Sequence, residues 1–236
     1  MLLSIITPVL NGDRFIRENI ESIMQLNVPH EHIIVDGGST DDTLNILKDY
    51  PHLVVLNQKE RNGMYGAIDQ GFEIAKGNIL TWINSDDYIL AEEYGEMVRE
   101  MNQRGAEFMY SNGYVYHEIS GRNEICRSSA CPKFFLRHGI LPFLQPASIY
   151  RKTFYRNFPL NLKYKITGDM DMFYRMAADR HAVFVRYNKP TVVFRKYGDS
   201  LGDNNGRKGK MELMEAGVPS PGLFVKAMYY ILRRYL

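Results

Sequence analysis

Five strand-like runs separated by four helix-like ones fill the first half of this 236-residue chain, and that alternation restricts the fold more than any other feature. "LLSIITPVL" reads as a buried strand, and "NGDRFIRENIESIMQL" follows with a helical stripe at Phe15, Ile16, Ile20, Ile23 and Met24. "HIIVDGGS" is a short apolar strand ending in Asp36, after which Thr40, Asp41 and Asp42 open a second helix with acids in its first turn. "HLVVLN", "GMYGAIDQGFEIAKG", "NILTWIN", "AEEYGEMVREMNQRG" and "AEFMYSNGYVYHE" continue the pattern. Strict β-α repetition implies a mainly parallel sheet with helices on both faces and right-handed crossovers. In such sheets ligands bind outside the carboxyl ends of the strands. Asp36 and the adjacent pair Asp86 and Asp87 both fall at strand ends, so two acidic ends share one rim.

The second half is less regular. "SGRN" predicts a turn, "CPKFFLRHGILPFLQPASIYRKTFY" an aromatic and basic loop, and "GDMDMFYRMAADR" a helix with an acidic start. "AVFVRYNKPTVVFRKYG" supplies one or two strands, and "GDSLGDNNGRKGK" reads as a mobile Gly/Asn-rich stretch. The closing "GLFVKAMYYILRRYL" forms a basic amphipathic helix, with Leu223, Phe224, Ala227, Ile231 and Tyr235 on one face and Lys226, Arg233 and Arg234 elsewhere. Such a helix can rest on an anionic membrane, pack on its own domain, or make a homodimer contact.

A net charge of +2 is too small to imply bulk nucleic-acid binding. Two cysteines, Cys126 and Cys131, give no disulfide framework and suit a reducing cytoplasm. The start "MLLSIITPVLNGDRF" lacks a basic signal region, and no apolar run reaches the ~20 residues of a membrane span. His30 and His32 share a strand-like spacing without a third ligand nearby, so no zinc site is read.

Mg²⁺ and Mn²⁺ prefer oxygen ligands and commonly bridge one or two carboxylates to phosphate oxygens. Asp86 and Asp87 suit that role; the competing reading is that Ser85 or Asp86 caps the helix beginning near Ala91. Asp36 before "GGS" is placed either to grip a nucleoside or to close a turn. No G-x-G-x-x-G follows the first strand, and "GDNNGRKGK" fails as a P-loop, which leaves a metal as the diphosphate clamp. Asp169 and Asp171 open a helix two residues apart, so at most one faces a given site. One of them acts as a general base, or both complement the helix dipole.

"SIITPVLNGDRFIRENIESI", "IIVDGGSTDDT", "NGMYGAIDQGF", "WINSDDY", "LPFLQPASIYRKTFY" and "TGDMDMFYRM" together resemble the ordered blocks of the family 2 glycosyltransferases over about residues 2–185. The resemblance implies a GT-A fold, a Rossmann-like α/β sheet, and inverting transfer from a nucleoside-diphosphate sugar with Mg²⁺ or Mn²⁺. It places Thr7, Pro8, Asp36, Asn62, Asp86 and Gln145 at the donor, Asp86 and Asp87 on the metal as the DXD-type motif, and Asp169 as the catalytic base. Residues 1–110 become the nucleotide-sugar half, 111–200 the acceptor and base half, and 201–236 a mobile loop with the C-terminal helix. Lys133 to Tyr155 becomes the wall for a glycan or lipid-linked acceptor, with Phe143 and Leu144 as core alternatives. A bacterial surface polysaccharide such as capsule or lipopolysaccharide is the implied product, made in the cytoplasm or at the inner membrane face. Asp36 favours a base with an imide N–H, hence a UDP- or dTDP-sugar.

Several positions depart from the family pattern. Asn84 stands at the first acid of the DXD motif, and Gly168 replaces the acid before Asp169. Lys59-Glu60-Arg61-Asn62-Gly63 replaces an acidic block, with two cations that either meet phosphate or face solvent. Tyr197-Gly198-Asp199-Ser200 stands where some members carry H-x-x-S. Gly168 keeps open a non-catalytic nucleotide-sugar-binding scaffold. A sugar nucleotidyltransferase would need a glycine-rich basic loop where "PVLNGDRF" stands.

Overall fold

The computed structural model describes residues 2–60, 62–198 and 206–235. Strand β1 (Leu3–Val9) is buried along its whole length and lies at the centre of a parallel unit. β2 (His30–Asp36) and β4 (Ile79–Trp82) flank it, and β3 (Val54–Asn57) adds to β2. The register pairs Val9 with Asp36 and Asp36 with Asn57, so three strands end level on one rim. Helices α1 (Ile16–Met24), α2 (Thr43–Lys48) and α3 (Met64–Ile74) are the crossovers.

Alternation along the strands sorts the core into two layers. Leu3, Ile5 and Ile79 pack with Ile23 of α1 and with Tyr94, Met97 and Val98 of α4 (Ala91–Gln103). Ile6, Leu80 and Trp82 face the other way, against Tyr65, Ile68 and Phe72 of α3 and Phe173 and Met176 of α7 (Gly168–Ala178). Helices therefore cover both faces, as the alternation predicts.

Beyond β4 the sheet is mixed. It runs β3-β2-β1-β4-β8-β6-β9-β5, with β7 (Arg122–Cys126) on β6 (Phe108–His117). β8 (Ser148–Arg151) is antiparallel to both β4 and β6, whereas β9 (Phe184–Lys196) is parallel to β6 and antiparallel to β5 (Tyr88–Ile89). β8 comes from the segment read as an aromatic loop. That segment also forms α5 (Pro132–Arg137), a 3₁₀ turn at Gln145–Ala147 and α6 (Lys152–Asn157). Phe135, Leu136, Phe143, Ile149, Tyr150 and Phe154 are core residues, and Leu144 packs on the core's edge. A four-residue central strand buried on both faces has no alternation to betray it.

The chain ends in α8 (Gly206–Glu215) and α9 (Leu223–Tyr235). Residues 206–210 of the glycine-rich stretch expected to be mobile are thus the first turns of a helix; positions 199–205 lie outside the described residues. Among the described residues no helix is long and apolar enough to cross a membrane.

Candidate active site

The acidic pair sits in a tight turn between β4 and β5, closed by the Asp87 N–H on the Asn84 carbonyl at 3.0 Å. Helix α4 begins three residues after Asp87's neighbour Tyr88, with Leu90 at its N-cap and no side-chain cap, so neither Ser85 nor Asp86 performs the capping role. Two strands fix the turn instead: β5 pairs Tyr88 with Val193 of β9, and the Arg195 N–H donates to Asp87 Oδ1 at 2.9 Å. Asp87 is 1% exposed, and its Oδ2 is buried without a hydrogen-bond partner, as is Asn84 Oδ1. Burial, and then the charge of Asp86, push the Asp87 carboxyl well above the ordinary carboxylate range, against the pull of Arg195. Burial also raises Asp86, opposed by the Tyr197 hydroxyl on its carboxylate and by the Arg195 charge. Tyr197 thus brings the departing "YGDS" block to the acidic pair; Asp199 and Ser200 lie outside the described residues.

Two residues assigned no role from sequence hold this turn. Asn19, buried within the stripe of α1, donates its amide to the carbonyls of Asn84 (3.0 Å) and Asp87 (2.9 Å). Arg195 is 6% exposed; it donates to the Asp86 carbonyl at 3.1 Å, pairs with Glu118 at 2.7 Å and also with Glu18, and lies over the Phe15 ring. The one signal for it is periodicity: Arg195 continues the inward side of β9 set by Val193, where a cation needs a specific partner.

The other predicted donor residues are distributed differently. Pro8 is buried near the end of β1. Thr7 is also buried, but its hydroxyl points into the protein, to His32 Nε2 at 2.9 Å and Asn19 Oδ1 at 3.4 Å, and so does not line the rim. Burial drives the His32 imidazole down to about 3, so it is neutral there. Asp36 performs the turn role: its carboxylate accepts the N–H groups of Gly38 (2.9 Å) and Ser39 (3.1 Å), and the side chain is almost wholly buried. Gln145 is brought to the acidic turn, its amide donating to the Trp82 carbonyl at the end of β4 at 3.1 Å. Asn62 is not: its amide is taken by Glu60 at 2.8 Å, and it lines a separate shallow cavity with Asp69, Gln70 and Glu73. Arg61, one of the two cations expected there, lies outside the described residues.

Helix α7 runs down to the start of β9, so its N-terminus stands at the same rim. There Asp169 and Asp171 take different partners. Asp171 is buried and pairs with Arg175 at 2.9 Å, one helical turn on. Asp169 is half-buried, and its Oδ1 accepts the Tyr65 hydroxyl at 2.9 Å and the Met170 N–H at 2.8 Å. Burial raises its carboxyl, and both hydrogen bonds pull it back. Tyr65 also explains Gly168. A Cβ at Gly168 would lie 2.9–3.2 Å from carbons of the Tyr65 ring, so the ring occupies the space of the missing acid.

A further cavity of about 370 Å³ opens between the ends of β6, β7 and β9 and helix α9. Lys196, Arg233, His117 and Glu124 line it beside Phe143, Leu144 and Tyr229. Tyr229 docks α9 against Phe135 at 5.1 Å, while Leu223, Phe224 and Ile231 of the predicted apolar face point to solvent. Ala227 is exposed with them; the Arg234 and Tyr235 side chains lie outside the described residues.

The donor set at the acidic turn is all oxygen, and the buried unpartnered Asp87 Oδ2 is what a hard cation would satisfy. Among the described residues no group of three or more His, Cys, Asp or Glu is placed to hold a metal ion. Mg²⁺ or Mn²⁺ nonetheless fits these oxygen donors.

Comparison with known proteins bears on the same frame. Residues 4–181 match the model of glycosyl transferase family 2. The glycosyltransferase GlyG of Streptococcus pneumoniae is 28% identical over 51% of this chain, and this chain spans 42% of that protein's length. A PGL/p-HBAD biosynthesis glycosyltransferase of Mycobacterium bovis is 23% identical over 99% of the chain and 91% of its own length. The poly(ribitol-phosphate) beta-glucosyltransferase of Bacillus spizizenii is 37% identical over 39% of this chain and 16% of its own. Among solved structures, S. aureus TarS 1–349 in complex with UDP superposes with a TM-score of 0.71 at 20% identity, over 92% of this chain and 64% of that one. The Pyrobaculum calidifontis mannosyltransferase PcManGT with GDP-Man and Mn²⁺ does so with a TM-score of 0.63 at 16% identity, over 90% and 61%. With three quarters of its residues inside the matched span and the GT-A frame around them, the chain belongs to glycosyl transferase family 2.

Proposed function

We propose that this protein is a metal-dependent, inverting glycosyltransferase that moves a sugar from a UDP- or dTDP-sugar to a hydroxyl of a glycan or lipid-linked acceptor. The observation that carries the reading is the buried, unpartnered Asp87 Oδ2 beside Asp86, on the rim where Asp169 also stands. Asp86 and Asp87 would hold Mg²⁺ or Mn²⁺, which when bound would supply Lewis-acid neutralisation of the donor diphosphate. Gln145 borders the sugar, Pro8 lies below the nucleoside, and Asp36 holds the Gly38–Ser39 turn against the base. UDP in the TarS complex supports the uridine preference.

Asp169 accepts the proton of the acceptor hydroxyl as that oxygen attacks the anomeric carbon. The bond from that carbon to the diphosphate oxygen breaks, and its electron pair leaves with the nucleoside diphosphate. Raising Asp169 by burial strengthens it as a base, while the Tyr65 hydroxyl fixes which oxygen faces outward. The cavity between β9 and α9 is the acceptor site in this reading, and Lys196 and Arg233 suit a phosphate-bearing acceptor. A relative named for poly(ribitol-phosphate) supports that chemistry, and polysaccharide assembly is the setting. The exposed apolar stripe of α9 rests on the inner face of the membrane.

Asp169→Asn tests the core of the proposal. Transfer to water, read as UDP release from a UDP-sugar, falls by about 10²–10⁴-fold while UDP affinity stays within twofold. Turnover near wild type in this variant removes Asp169 from the role.

A further inference from the structure

We infer that Glu212 is a positioning residue for Asp169, acting from a helix outside the span that matches the family. The inference rests on the reading of Asp169 as the base. Glu212 lies on α8 and is 8% exposed. Its carboxylate accepts three consecutive backbone N–H groups: Lys165 at 3.0 Å, Ile166 at 2.9 Å and Thr167 at 3.1 Å. The Thr167 hydroxyl donates to the same carboxylate at 3.2 Å. Burial works against the charge, yet these donors hold the Glu212 carboxyl below its ordinary range.

Those three residues lead directly into α7, with Asp169 two positions after Thr167. Thr167 is the N-cap residue of α7 but makes no side-chain cap to its own helix, because its hydroxyl is turned to Glu212. Gly209, one turn before Glu212, lets α8 approach: a Cβ there would lie 3.2 Å from Thr167 Cγ2 and 3.3 Å from Ile166 Cγ2.

The opposite side of the loop is held from α3 and its approach. The Tyr65 hydroxyl is 3.2 Å from the Ile166 carbonyl, and Lys165 Nζ donates to the Asn62 carbonyl at 2.7 Å. The entry to α7 is therefore clamped between Tyr65, which touches the base, and Glu212, which does not. Leu213 of α8 packs on the edge of the core, but the two fully buried residues of α8 are Gly209 and Glu212, and both meet this loop.

The test uses the full chain with Mn²⁺ and measures UDP release from UDP-glucose or UDP-N-acetylglucosamine, whichever the wild type cleaves faster. Glu212→Gln keeps the shape but offers an amide N–H to backbone donors. It should lower kcat about tenfold to a hundredfold, as a small misplacement of a catalytic group does. UDP affinity should stay within twofold, and amide hydrogen exchange should quicken in residues 163–171 alone. Gly209→Ala should act in the same direction through the same loop with Glu212 intact. Met214→Gln, on the exposed side of α8, should match wild type. Wild-type kcat in Glu212→Gln, or a uniform rise in exchange with kcat and affinity falling together, overturns the inference. Asp169→Asn in the same assay separates the two claims. If it is inactive while Glu212→Gln keeps the wild-type kcat, only the positioning role fails; if it turns over like wild type, the base reading fails and this inference with it.

Discussion

At the scale of single residues, Asp169 is set by opposing influences that can be separated. Burial favours its neutral form, whereas the Tyr65 hydroxyl and the Met170 N–H favour the carboxylate. Net, its carboxyl is raised, and a base must be ionised, so turnover falls as pH drops through that raised value. Tyr65→Phe deletes a donor to the charged form and raises the carboxyl further. The acidic limb of the UDP-release profile should therefore move to higher pH; a limb at the wild-type position would contradict the Tyr65–Asp169 bond. Tyr65 also accounts for Gly168, since the ring leaves no room for a second acid. Tyr65 lies within the block "NGMYGAIDQGF", but no local pattern marks its partner, because the two stand 104 positions apart.

At the scale of elements, what could be read was what local periodicity encodes. The parallel unit β1 to β4 and the acids at its ends followed from alternation. β8 did not, because strand insertion from a distant segment leaves no local pattern. Thr7 shows a related limit: position near a strand end does not say which way a side chain points, and the Thr7 hydroxyl faces Asn19 of α1. The capping alternative for Asp86 fell to β5, a two-residue strand too short to see in sequence. β9 is the element that makes the acidic turn rigid, through the Arg195 N–H on Asp87 and the guanidinium on the Asp86 carbonyl. Arg195→Lys keeps the charge and loses the fork that reaches Asp86, Glu118 and Glu18 together. With a loss of about 1–3 kcal/mol, Tm should fall by roughly 2–4 °C per kcal/mol. UDP affinity with Mn²⁺ should weaken in parallel. Unchanged melting and affinity, both read by thermal denaturation with and without UDP, would show that β9 does not brace the turn.

At the scale of the whole molecule, one mixed sheet carries the acidic turn, the Asp169 helix and the cavity under α9 along a single rim. The apolar stripe foreseen for α9 exists, but it faces outward, with Leu223 86% and Phe224 80% exposed. Because these side chains support nothing beneath them, Leu223→Glu with Phe224→Glu should fold normally and lose co-sedimentation with anionic phospholipid vesicles. Equal sedimentation of both proteins would exclude membrane docking through this face. All of this presupposes that the rim holds a nucleotide through a metal. Calorimetric titration of UDP into the wild type and Asp87→Asn, each with Mn²⁺ and then with chelator, tests that most directly. The account predicts binding by the wild type with Mn²⁺, and its loss both on chelation and in Asp87→Asn. UDP binding that survives chelation and the substitution, or no binding by folded wild type with Mn²⁺ present, would contradict it.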